Sequence, residues 1–121
     1  MFTTGPIKRH DFDLEERTAV FGENLIRFIR SLPRDDITKP IINQLIRAGM
    51  SVGANYCEAD DAESRKDFKH KIGICKKEAR EVKHFLRMLL VAQPNLQNNI
   101  AKYWQEVKEL NLIFNAIYKK L

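Results

Sequence analysis

Asp67 with His70, and Glu81 with His84, are two carboxylate and imidazole pairs spaced three residues apart within a stretch of helical periodicity. That is the spacing at which bundle helices hold paired iron atoms, provided such pairs project inward from two different helices. Both pairs here fall on one segment and on its polar side, so they are expected to be solvated, with no metal bound. Other reactive residue types are equally sparse. His10, His70 and His84 are the three histidines, and none is paired at defined spacing with a serine or cysteine nucleophile; no phosphate-cradling glycine motif occurs. Cys57 and Cys75 lie on separate helical segments without a C-x-x-C or a second ligand cluster, and are expected to be small core hydrophobes in a reduced compartment. These residues predict a protein that is not an enzyme, with no catalytic group, no metal ligand and no cofactor.

What remains for chemistry is charge. With Ile72 as position a of a heptad in the segment 64–92, the a and d positions from Phe68 to Leu89 are Phe68, Ile72, Cys75, Ala79, Val82, Leu86 and Leu89, an unbroken apolar series. Positions b, e and f collect Lys66, Lys69, His70, Lys76, Lys77, Arg80, Lys83, His84 and Arg87, while the acids Asp67, Glu78 and Glu81 fall at c or g. Nine Lys and Arg against three acids give this one segment a surplus of six, more than the net +5 of the whole chain. A concentrated positive ridge suits an anionic partner. Lys66, Lys69, Lys76, Lys77, Arg80, Lys83 and Arg87 are therefore the candidate contacts for RNA or DNA phosphates, with an acidic protein partner as the alternative. Aromatics that could stack on bases are not interleaved on that basic face, which favours phosphate contact over sequence-specific recognition of single strands.

The elements that must carry these residues are helices. The 121 residues suffice for one core, and 44% hydrophobic with 31% charged residues fits a globular domain with charged helix surfaces. Residues 1–10 read as a loose arm with a Gly5-Pro6 turn and a basic cluster at Lys8, Arg9 and His10; residues 11–121 read as one domain. Asp11 or Asp13 can cap a first helix to about Leu32, closed by Pro33, with Leu14, Thr18, Phe21, Leu25, Phe28 and Leu32 facing the core. Thr38 is the expected cap of a second helix to about Ala59, and Ser64 that of the long third helix. After Pro94 a fourth series follows: Ile100, Tyr103, Val107, Leu110, Phe114, Ile117 and Leu121. Four amphipathic helices with short connections predict an all-α, antiparallel up-and-down four-helix bundle. No apolar run reaches the roughly 20 residues of a membrane span, and no signal peptide is evident, so a soluble, cytoplasmic protein is expected.

The second helix stands apart. Between Pro40 and Cys57 it has one charged residue, Arg47, and apolar residues on more than one face, so it is expected to touch both its own bundle and another subunit. Ser51, Asn55 and Glu58 form a polar stripe on it at i, i+4 and i+7. If buried, they need partners, and Glu78, Lys71 or Arg65 of the third helix could supply them. A register-fixing network is expected, with a small-molecule site as the alternative.

Residues 12–18 (FDLEERT), 51–62 (SVGANYCEADDA), 63–81 (ESRKDFKHKIGICKKEARE) and 104–114 (WQEVKELNLIF) together resemble the bacterial four-helix-bundle proteins encoded in intervening sequences within 23S ribosomal RNA genes. The resemblance covers nearly the whole chain after the arm. It implies four antiparallel helices assembled into a homopentameric ring, and a distant likeness to the accessory protein of diversity-generating retroelements, a basic pentamer that binds nucleic acid and a reverse transcriptase. It also implies that Ser51, Asn55, Glu58 and Glu78 occupy recurrent polar positions of the family, none of them catalytic.

Overall fold

The computed structural model describes residues 13–121, and every α element among them is a helix of the expected series. Helix α1 (Leu14–Arg30) starts where the Asp13 carboxylate accepts the Glu16 N–H, with Glu15 and Glu16 in the first turn where the helix dipole favours acids. Asp11 and the arm, residues 1–10, lie outside the described residues. Helix α2 (Thr38–Asp60) begins in a way the sequence expectation misplaces, because Thr38 is not its cap. Asp35 Oδ1 accepts the N–H groups of Ile37 and Thr38, while Thr38 Oγ accepts the Asp35 N–H. A carboxylate oxygen can accept both amide protons at once, and those bonds hold the Asp35 carboxyl below its usual range.

Helix α3 (Arg65–Ala92) runs for 28 residues from Ser64, whose hydroxyl accepts the Asp67 N–H at 3.0 Å. At 1.5 Å per residue it is about 42 Å long. Pro94 ends it, and one 3-10 turn (Pro94–Leu96) leads into α4 (Gln97–Lys119).

Contacts across the seams establish that consecutive helices are antiparallel. Arg47 of α2 meets Glu78 and Glu81 of α3, whereas Glu58, farther along α2, meets the earlier Lys71. Lys83 and Lys76 of α3 lie beside Trp104 and Tyr118 of α4 in reversed order. The a and d residues Ile72, Cys75, Ala79, Val82, Leu86 and Leu89 are all fully buried, as are Leu25, Leu45, Val52, Val107, Leu110 and Phe114 from the other helices. Periods of 3.5 to 3.6 place the core correctly because each helix has one side to bury.

Packing is most extensive between α2 and α3 and sparsest between α1 and α4. The sparse seam closes through a fork in which Arg17 donates to both Glu106 oxygens at 2.8 and 2.9 Å and to Glu109 at 2.8 Å. Tyr103 completes it, stacked on Phe28 at 5.0 Å between centroids and donating its hydroxyl to the Asn24 carbonyl.

Helices α1 and α2 approach closely at Gly49, where a side chain is missing. A Cβ on Gly49 would stand 2.3 Å from Leu25 Cδ2, whose side chain is fully buried. Gly53 differs, since a Cβ there would meet Thr18 at 3.4 Å, ordinary contact. Gly49→Val is thus expected to destabilise by about 1–3 kcal/mol through overpacking, while Gly53→Ala should be neutral or gain up to about 1 kcal/mol of helix propensity. Urea midpoints of the two variants would check this; equal midpoints would refute the assigned close approach.

Candidate nucleic-acid interface on helix α3

The heptad geometry of α3 decides which of its charges meet neighbours. Position g borders α2 and position e borders α4, leaving b, c and f outward. On the α2 side, Glu78 is buried to 4% exposure and accepts from Arg47 Nη1 at 2.9 Å. The same guanidinium also reaches Glu81, and both pairs raise the Arg47 pKa. Lys71, nearly two turns into α3, pairs with Glu58. The polar stripe of α2 is therefore divided: Asn55 donates to the Ser51 carbonyl and hydroxyl within its own helix, at 2.9 Å each, while Glu58 crosses to Lys71 of α3, and Glu78 of α3 is met instead by Arg47. Of the anticipated partners of the stripe only Lys71 meets it, at Glu58; Arg65 makes no bond to the stripe among the described residues, and Glu78 pairs instead with Arg47, the member that sequence reading missed. Its position, four residues before Ser51 on the same stripe, is the signal that could have found it.

These bridges set where the charge of the ridge lies. Arg47 brings one positive charge to the α2 border of α3, where it holds two of the three α3 acids, and Glu58 brings one negative charge to Lys71, so the surplus of six is kept and its unpaired members lie on the outward and α4 sides.

The basic stripe itself splits into two rows. Lys66, Lys77, Arg80 and Arg87 are exposed, and among the described residues no carboxylate stands within ion-pair distance of them. His70 and His84 are exposed on the same face, and among the described residues no three His, Cys, Asp or Glu side chains converge on a point. Lys77, Arg80, His84 and Phe85 border a shallow depression of about 390 Å³. Lys69, Lys76 and Lys83 form the second row, half-buried against α4. Lys69 and Lys76 lie 4.8 and 4.4 Å from the centroid of Tyr118, and Lys83 lies 5.3 Å from Trp104. Lys108 of α4 approaches the same indole at 5.4 Å. Asn115 accepts from Lys76 Nζ, and Asn111 donates to the Lys76 carbonyl at 2.9 Å.

Aromatic rings thereby reach the ridge from a neighbouring helix. None is interleaved on that side of α3, but α4 brings Trp104 and Tyr118 alongside it. Their sequence signal was the row Trp104, Lys108, Asn111, Asn115 and Tyr118, a 4-3-4-3 spacing adjacent to the core row of α4.

The cysteines also separate. Cys75 is fully buried with its thiol directed at the Val52 carbonyl, and burial pushes its pKa up to about 12. Cys57 is exposed, which corrects its expected place in the core. It lies at the end of a groove between α1 and α2 lined by Glu15, Glu23, Ile26, Met50 and Ala54, where small residues leave the seam open to solvent. Partial burial and nearby Glu15 raise its pKa. Alkylation of the native protein at neutral pH is expected to modify Cys57 alone and slowly, with Cys75 reacting only after denaturation; mass mapping that finds Cys75 labelled in the native state would contradict the fold.

No helix among the described residues is long and apolar enough to cross a membrane. No curated protein matches the chain. The crystal structure of a protein of unknown function from the S23 ribosomal protein family of Bacteroides thetaiotaomicron superposes with a TM-score of 0.77 at 25% sequence identity, covering 88% of this chain and 98% of that one. The family model described as 23S rRNA-intervening sequence protein matches residues 10–116, nearly the full length of the bundle. With four helices in the predicted order and a family match that takes in all of the first three and most of the fourth, this chain belongs to the 23S rRNA-intervening sequence protein family.

Proposed function

We propose that this protein is a non-enzymatic helical bundle that binds the phosphate backbone of RNA or DNA through the outward face of α3. The observation that carries the proposal is the exposed row of Lys66, Lys77, Arg80 and Arg87 on a helix whose acids Glu78 and Glu81 are already held by Arg47. Such a face attracts phosphates at long range and releases counterions on contact. Anisotropy titrations at several salt concentrations test it: phosphate contact requires log affinity to fall linearly with log salt, by about 0.7 to 0.9 per contact. Affinity independent of salt would overturn it. The alternative, an acidic protein docked on the same face, predicts a partner that is retained after nuclease treatment.

We further propose that the protein assembles with copies of itself into a ring of five, through the groove between α1 and α2. Support comes from Met50 and Ile26, 50% and 41% exposed beside small residues on the helix whose apolar surplus one bundle does not cover. Five chains of +5 each would carry +25, strengthening attraction for polyanions. Light scattering at micromolar concentration is expected to report an oligomer that Met50→Arg with Ala54→Arg dissociates; a monomeric parent protein would defeat the proposal.

A further inference from the structure

We infer that the seam between α3 and α4 is a stacking platform for unpaired bases, so that the nucleic acid bound is single-stranded. The inference rests on the phosphate-binding proposal and narrows its ligand. A phosphate-only surface requires cations and nothing else. This seam has more: two partly exposed aromatic rings on one row of α4, each with two lysines beside it, and two asparagines between them. Trp104 and Tyr118 are 14 residues apart on one helix, a separation of roughly 21 Å.

Tyr118 lies close against α3 at Gly73, where a Cβ would stand 3.2 Å from Tyr118 Cε2 and oblige the ring to give by a few tenths of an ångström. The ring thus rests over the α3 surface between Lys69 and Lys76 rather than being sunk in the core. Trp104 is placed likewise between Lys83 of α3 and Lys108 of α4.

In the unliganded protein the ammonium groups lie against the rings. Stacking of a base on an aromatic face is the stronger contact, since a cation near an exposed ring retains most of its attraction to water. An arriving base therefore displaces the lysine, and the flexible four-carbon stem lets the ammonium swing to the phosphate flanking that base. Each ring with its two lysines then engages one nucleotide by its base and its backbone together. Duplexes cannot use the rings, because their bases are stacked on one another and their edges alone are accessible in the grooves.

Trp104 is the one tryptophan of the chain and reports directly on this seam. Sites for single strands cover roughly 4 to 16 nucleotides, so 12-mers of deoxythymidylate and of uridylate suffice as probes, beside a 12-base-pair duplex and an abasic deoxyribose-phosphate 12-mer of equal charge. The expected result is saturable quenching of Trp104 fluorescence by both single strands, with affinity about tenfold or more above that of the abasic strand for each ring engaged. The two single strands separate RNA from DNA preference. Tyr118→Ala should lower single-strand affinity about tenfold without altering abasic binding, and Tyr118→Phe should restore it. Anisotropy binding with unquenched Trp104, or equal affinity for the base-bearing and abasic strands, overturns the stacking platform while leaving phosphate contact in place. Failure of all four probes to bind overturns both.

Discussion

Replacing Lys66, Lys77, Arg80 and Arg87 together by Glu is expected to reduce nucleic-acid affinity at least about a hundredfold at low salt and to flatten its salt dependence, removing roughly three to four units from the log–log slope. These four side chains are chosen because they are exposed and have no carboxylate partner among the described residues. Lys69, Lys76 and Lys83 belong to the same sequence stripe, but they lie on Trp104 and Tyr118, so reversing them would disturb the α3–α4 seam together with the field. Surface substitutions away from packed contacts change stability by no more than about 0.5 kcal/mol, and unchanged far-ultraviolet circular dichroism and melting would confirm that the fold survives. If the reversed protein binds as tightly as the parent, the outward face of α3 is merely solvated and its charges serve solubility.

Phe114→Ala is expected to be the most damaging single substitution to the fold, at about 3–5 kcal/mol. The ring is fully buried and lies 6.2 Å between centroids from Tyr56, so it joins α4 to α2 across the middle of the bundle. Removing it leaves a cavity between helices that are held on their other sides and cannot collapse to fill it. Leu112→Ala, two residues away and 58% exposed, should change stability by no more than about 0.5 kcal/mol. Urea unfolding of both variants would check the contrast. Comparable losses at the two positions would mean that Leu112 is covered in an assembly, which the light-scattering experiment would show independently.

That Phe114 is core and Leu112 is not follows from the 3.6-residue period alone, and so does the burial of Ile72, Cys75, Ala79, Val82, Leu86 and Leu89. Ser64 as the start of α3 and Pro94 as its end were equally legible, because capping and ring closure act within a few residues. The separation of Lys77 and Arg80 from Lys76 and Lys83 was half legible. The heptad assigns them to different positions, but what stands next to position e depends on which helix lies there. Cys57 shows the limit from the other direction. It sits on a helix whose apolar residues surround it, yet it is exposed, because α1 begins opposite it with Glu15 and small side chains and does not cover it.

The amino-acid sequence by itself determined four helices, their caps and stops in large part, the inward face of each, and the concentration of positive charge on α3. These are properties of one chain segment at a time, set by bonds between residues three or four apart and by the sidedness of hydrophobic burial. Only the tertiary structure decided that Arg47 holds Glu78 and Glu81 and that Trp104 and Tyr118 flank the lysines of α3. The inter-helix contacts depend on the rotation and axial offset of one helix against another. Those quantities come from the packing of all four cores at once, and no single helical period encodes them.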